Sequence, residues 1–307
     1  MPLDKVSFDL EKDIQSLVEA NLSSLFNLEF VASEFAIDEF RIDTLAYDEE
    51  NAAFVIIEYK RGNSYSVVDQ GYAYLSKMLE KKADFVLEYQ ERTGKSLRKN
   101  DVDWTQSKVV FISPAFNSYQ KNSVNFRDVP FELWEIRRYG NDLIALDQHR
   151  PTSKESIEKF SATNTEISTV SSEIKVLDEV DHTAKTNAEC LAMWNEIKEY
   201  FSEFADVGYS VKKHYISIKR DNTAICFVHF LKNSLTINIR QGNIYTDGTT
   251  KSSGYFELDD PKNMSEKKEF TWSSGVKGNF YTLTLKSKSE LEYVLWLIKQ
   301  KYEAIGV

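Results

Sequence analysis

Three side chains stand out for their chemistry and spacing: Asp43, Glu58 and Lys60, within the stretch RIDTLAYDEENAAFVIIEYK. Two carboxylates on neighbouring strands suit a hard divalent cation, because Mg²⁺ takes oxygen ligands and keeps several waters. A lysine two residues beyond the second carboxylate can hold or activate a water beside that cation. Together these groups are the working part of a metal-assisted phosphodiester hydrolase. Glu-x-Lys also arises by chance in a charged chain, where it is a solvated ion pair that contributes little. Placement decides between the two.

The stretch reads as a β-hairpin, with a strand over residues 41–47, a polar loop over 48–51 and a second, apolar strand over 52–60. Side chains alternate faces along a strand, so Ile56, Glu58 and Lys60 share one face. A four-residue loop sets Tyr47 opposite Ala52 and Asp43 opposite Ile56, which puts Asp43 on the Glu58 face. The run Phe54-Val55-Ile56-Ile57 marks a strand buried on both sides. Charged groups ending such a strand must pair or bind something. Upstream, Ile14, Leu17, Val18, Leu22 and Leu25 have helical spacing, with Glu11, Gln15 and Glu19 as a second stripe. Downstream, Gln70 and Tyr74 lie one helical turn apart.

Glu11, Asp43 after Arg41-Ile42, Glu58-Tyr59-Lys60 and Gln70-x-x-x-Tyr74 together resemble the PD-(D/E)XK nuclease superfamily, more narrowly its NucS-like branch. The chain as a whole resembles a family of bacterial proteins of unknown function. There, a nuclease-like domain precedes a small C-terminal domain, and some members are labelled predicted transport protein. RIDTLAYDEE, IIEYKR and VVDQGYAYL carry most of this similarity. The resemblance implies a restriction-endonuclease-like α/β fold, a mixed sheet flanked by helices. It implies metal binding by Asp43 and Glu58 with help from Glu11, and support of the attacking water by Lys60. It further implies that Gln70 orients the site and that Arg41, Arg61 and Tyr74 contact DNA. The superfamily often has proline before the aspartate, where Ile42 stands here.

At 307 residues, with 42% hydrophobic content, the chain is long enough for two cores. The N-terminus MPLDKVSFDLEKD carries acidic residues where a signal peptide has an apolar core. The apolar run 52–57 is too short to span a bilayer, so no membrane partner is expected. Cys190 and Cys226 lack metal-ligand spacing, which fits a reducing cytoplasm. His149, His182, His214 and His229 are scattered and read as structural. The net charge is −10, with 18 Lys and Arg against 26 Asp and Glu in residues 1–150. Phosphate affinity comes from lysine and arginine, so such a balance points to weak non-specific affinity for DNA, or to dependence on a partner or a special DNA structure.

The N-terminal domain, residues 1–150, reads as helix, extended segment, hairpin, a helix over 66–92, and three further strands. Residues 151–186 read as a polar linker, centred on SATNTEISTVSS, and residues 187–307 as a small α+β domain. In that second domain Lys212, Lys213, Lys219, Arg220, Lys232 and Arg240 interleave with Tyr209, Tyr215, Phe227 and Phe230. Such a pattern serves nucleic-acid stacking or plain sheet alternation. The leading expectation is a Mg²⁺- or Mn²⁺-dependent DNA endonuclease in repair or defence, with DNA as partner and a homodimer as one admissible assembly. The alternative is a nuclease-fold module that binds nucleic acid or a partner without cutting. An accessory protein of a transport system is the third.

Overall fold

The computed structural model describes residues 4–61, 67–140, 143–157, 164–221, 223–244, 255–271 and 277–305. They divide into two compact units, Met1–Val176 and Leu177–Val307. The first is an α/β unit with a mixed sheet flanked by helices, and the second is a smaller, antiparallel sheet with helices.

In the first unit the strands are β1 (Lys5–Val6), β2 (Glu29–Ile37), β3 (Phe40–Asp48), β4 (Ala53–Tyr59), β5 (Lys108–Ser113), β6 (Phe131–Tyr139) and β7 (Leu143–His149). β2, β3 and β4 form an antiparallel meander, while β4, β5 and β6 run parallel. β7 and β1 pair antiparallel with β6. All seven residues of β4 are buried, as a central strand covered on both faces requires. One face packs on helix α1 (Glu11–Ala20) through Ile14 and Val18 against Ala46, Val55 and Ile57. The other carries Tyr47, Phe54 and Ile56 into the larger core with helices α3 (Val67–Glu80) and α4 (Lys82–Thr93).

The hairpin forms with a shift. Its loop is Glu49–Ala52, one residue later than expected, with Tyr47 opposite Phe54 and Thr44 opposite Ile57. Extending that register by one pair sets Asp43 beside Glu58, not Ile56. The shift is two residues in pairing, so every side chain keeps its face. The expected helix over 66–92 is two helices that break at Lys81, whose ψ of 32° leaves the helical range. Ser66, its expected start, lies outside the described residues.

The expected linker is corrected in part. Its middle is helix α6 (Thr165–Glu173), which belongs to the first unit. Asn164 Oδ1 caps it by accepting from the Glu166 and Ile167 backbone N–H groups. Ile167, Val170 and Ile174 recur at three and four residues and are buried in the core that holds Leu75 and Phe131. Three apolar side chains at helical spacing outweigh the polar composition around them, since burying each contributes about 1.5–3 kcal/mol. The short helices α2 (Leu22–Phe26) and α5 (Ser118–Ser123) complete this unit.

Gly71 of α3 marks a close approach. A Cβ there would sit 2.6 Å from two ring atoms of Phe131. That ring is held edge-on by Tyr72 and Phe111 and has little room to yield. Gly71→Ala is therefore expected to destabilise the protein by about 1–2 kcal/mol, overpacking exceeding the gain in helix propensity. A thermal melt reads this as a lowered Tm; an unchanged or raised Tm would contradict the packing.

The second unit begins with α7 (Glu179–Thr183) and α8 (Ala188–Ser202) and closes with α9 (Leu291–Ile305). Its sheet has the order β12 (Glu266–Thr271), β13 (Lys277–Leu285), β11 (Ser234–Ile244), β10 (Thr223–Leu231), β9 (Ile216–Arg220) and β8 (Val207–Val211), all antiparallel. Trp194, Phe201, Val294 and Ile298 of the helices pack on Ile225, Val228, Ile237 and Leu283. Several aromatic and basic residues of this region have structural duties. Phe230 and Tyr209 pack on Trp194, and Arg220 pairs with Asp206 and stacks on Tyr302.

Candidate functional site

Asp43 and Glu58 meet at the end of the hairpin away from its loop, on the face covered by α3. The Asp43 carboxylate accepts a hydrogen bond from the Tyr59 backbone N–H at 3.0 Å. Burial pushes its pKa up to about 6, and the nearby Glu58 charge adds to the rise. Glu58 is 5% exposed. Its Oε1 accepts from the Lys60 ammonium and from Gln70 Nε2, each at 2.8 Å. Its Oε2 is buried and has no hydrogen-bond partner among the described residues. An unsatisfied carboxylate oxygen in the interior is unfavourable unless something else meets it.

The helix α3 holds Glu58 in place. Gln70 Nε2 also donates to the Tyr74 hydroxyl at 3.0 Å, and that hydroxyl donates to the Arg41 carbonyl. Tyr74 is buried, and burial together with the Glu58 charge raises its pKa. Its hydroxyl is thus engaged with Gln70 and the Arg41 carbonyl inside the unit. From the opposite face, Gln15 of α1 donates to the Asp43 backbone carbonyl at 2.8 Å. Gln70 thus holds the Glu58 carboxylate, while Gln15, from a different helix, holds the Asp43 backbone.

Glu11 reaches the adjoining segment but does not join the pair. Its Oε1 accepts from the Arg61 backbone N–H at 2.6 Å, one residue past Lys60. Among the described residues no three His, Cys, Asp or Glu side chains gather as a metal-ligand cluster. Glu19 turns inward to accept from the Thr44 hydroxyl, which also bonds the Tyr59 hydroxyl. Arg61 is exposed, with its guanidinium donating to the Asp9 carbonyl. Arg41 is paired with Glu34.

Glu34 is the site's unforeseen member. It lies in β2 beside Asp43 and pairs with both Arg41 and Lys12. Burial opposes its ionisation, but the hydrogen bonds from Lys12 and Arg41 outweigh that and hold its pKa below the usual range. Its φ of +55° in mid-strand is uncommon for a residue with a Cβ and costs about 1–2 kcal/mol. Only the alternation of β2 could have flagged it, and that alternation is what the left-handed residue breaks.

A protein of Haemophilus influenzae described as uncharacterized is 42% identical to this chain over 302 residues, covering 97% of this chain and 94% of that protein. This chain belongs to the same family. The alignment is long enough to run through both units. No family model matches the chain, and no solved structure matches it. No helix among the described residues is long and apolar enough to cross a membrane.

Proposed function

We propose that this protein is a Mg²⁺- or Mn²⁺-dependent deoxyribonuclease whose first unit is restriction-endonuclease-like. Asp43 and Glu58 hold the cation, and Lys60 serves the attacking water. The observation that carries this reading is the pair of juxtaposed carboxylates in which Asp43 is pushed up to about 6 and a buried Glu58 oxygen lacks a partner among the described residues. Carboxylates arranged so unfavourably in the free protein fit a site completed by a cation. Mg²⁺ is commonly bound through one or two carboxylates, waters and substrate phosphate oxygens, so the pair suffices as a donor set.

When bound, the cation polarises the scissile phosphate and offsets its charge. The protein's own part is positioning. Gln70 and Lys60 occupy Glu58 Oε1 and leave Oε2 free to serve as the ligand atom. Lys60 Nζ, 15% exposed as a side chain, sits beside the pair. There it orients a water with its lone pair toward phosphorus and stabilises the negative charge that grows in the transition state. Gln15 and the Tyr59 N–H keep Asp43 in register with Glu58.

The second reading is a nuclease-fold module that binds without cutting, and the absence of a three-residue metal-ligand cluster among the described residues favours it. The purified chain, incubated with single-stranded, duplex, mismatched and branched DNA, separates the two. Cutting in Mg²⁺ or Mn²⁺ that stops in EDTA is the expected outcome. No cation-dependent cutting of any form would transfer the assignment to the binding module.

A further inference from the structure

In the second unit, α8 and α9 pack on the sheet through Trp194, Phe201, Val294 and Ile298. The two helices lie side by side, with Lys288 paired to Glu196 and Tyr302 stacked on Phe204. A cleft of about 490 Å³ runs between them on the outside. Tyr200, Leu291, Leu295 and Trp296 line it, and Glu196, Lys288, Glu292 and Lys299 supply its charges. Trp296 is 39% exposed, whereas Trp104 and Trp194 are buried. Its ring rests against Tyr293, whose hydroxyl is fixed on Asp260, so the indole is held in place. A rigid, exposed tryptophan beside an apolar cleft is the kind of residue that anchors protein interfaces.

The charges decide what fits there. Glu292, Leu295, Trp296, Lys299 and Glu303 form one stripe along α9, and Lys288 precedes it by a turn. This stripe is complementary to itself. When two copies of α9 face each other antiparallel across a two-fold axis between Leu295 and Trp296, Glu292 stands opposite Lys299. In the same register Leu295 meets Trp296 and Lys288 meets Glu303, and symmetry makes each contact twice. Sliding the helices by one turn sets Glu292 against Glu303 in one direction and Lys288 against Lys299 in the other. Repulsion between like charges therefore selects the first register. A second copy of this chain brings that pattern of charge by symmetry alone.

We infer that the outer face of α8 and α9 is a homodimer interface, in which Trp296 of each subunit enters the cleft of the other. The apolar centre is ringed by the Glu292–Lys299 pairs, as in interfaces with a dry core and a polar rim. Two 15-residue helices side by side present a face of roughly 20 by 20 Å. Such a contact is small for a permanent assembly, so the dimer is reversible, with a Kd on the order of 10 µM. The interface uses no residue of the first unit, and the inference stands apart from the nuclease reading.

The test is sedimentation velocity on the full chain across protein concentrations from about 1 to about 200 µM, a range that brackets the expected Kd. Wild type should pass from monomer to dimer over that range. Trp296→Ala should weaken the dimer at least ~30-fold, as loss of an interface anchor does. Glu292→Lys should weaken it about tenfold by bringing like charges together. Adding Lys299→Glu to Glu292→Lys should restore the affinity to within a few-fold of wild type. Within one chain these two positions are about 10 Å apart along the helix, so the rescue reads a contact between subunits. The exposed charge variants keep the test valid if Trp296→Ala folds poorly. A chain that stays monomeric at the highest concentration overturns the second copy as the occupant of this face. A dimer that Trp296→Ala leaves as tight, or a loss in Glu292→Lys that Lys299→Glu does not reverse, overturns the interface.

Discussion

Lys60→Ala should bind DNA as the wild type does and cut it about 10²–10⁴ times more slowly, the range typical of a group that acts in the transition state. The ammonium is bonded to Glu58 Oε1 in the free protein. Its removal leaves Asp43, Glu58 Oε2 and the Gln70 bond to Oε1 in place, so the ligand atoms for the cation persist. What is lost is a positive charge beside the attacking water, which ground-state binding does not need. Single-turnover cleavage at saturating protein isolates that step, and anisotropy in EDTA reports binding separately. Loss of the ammonium also leaves Glu58 with one fewer partner, so a lowered Tm is expected and decides nothing. If Lys60→Ala cuts as fast as wild type, the assigned role is wrong.

Asp43→Asn should raise the stability of the cation-free protein near pH 8 while abolishing cleavage. The asparagine carbonyl can still accept from the Tyr59 N–H, so the shape of the site is kept. The sign follows from the raised carboxyl. Its folded-state value of about 6 exceeds the ~3.9 of an unfolded aspartate, so the folded chain binds its proton more tightly. Its stabilising contribution is full below about pH 4, falls as pH rises, and is lost above about pH 6. After discounting for solvent screening, the loss is about 1–2 kcal/mol. Replacement by Asn removes it. Melts in EDTA should show the variant gaining about 2–8 °C over wild type at pH 8, with the difference vanishing near pH 4. Excess Mn²⁺ should raise the Tm of wild type only. A variant less stable than wild type at pH 8 would mean that the pair is not strained in the free protein.

The site was legible in the sequence because strand parity survives small errors. Misplacing the loop by one residue set Asp43 opposite Ile56 instead of Glu58, yet left both carboxylates on one face. Gln70 and Tyr74 were legible through their four-residue spacing, though spacing alone could not tell that Tyr74 is buried and bonded to the Arg41 carbonyl. Gln15 stood in the stripe with Glu11 and Glu19, but its bond to the Asp43 carbonyl is a tertiary contact that no helical pattern encodes. Glu34 was hidden by its left-handed backbone, and the role of α6 by the serines and threonines around Ile167 and Val170. β1, a two-residue strand, is too short to leave a pattern.

The most direct test of the central claim is anomalous diffraction from crystals of the full chain soaked in Mn²⁺. The account predicts a single strong anomalous peak between Asp43 and Glu58, about 2.0–2.3 Å from one Asp43 oxygen and from Glu58 Oε2. Lys60 Nζ should remain on Oε1. No peak at the carboxylate pair in crystals that bind Mn²⁺ elsewhere, or a Lys60 ammonium moved into the place of the cation, would contradict it.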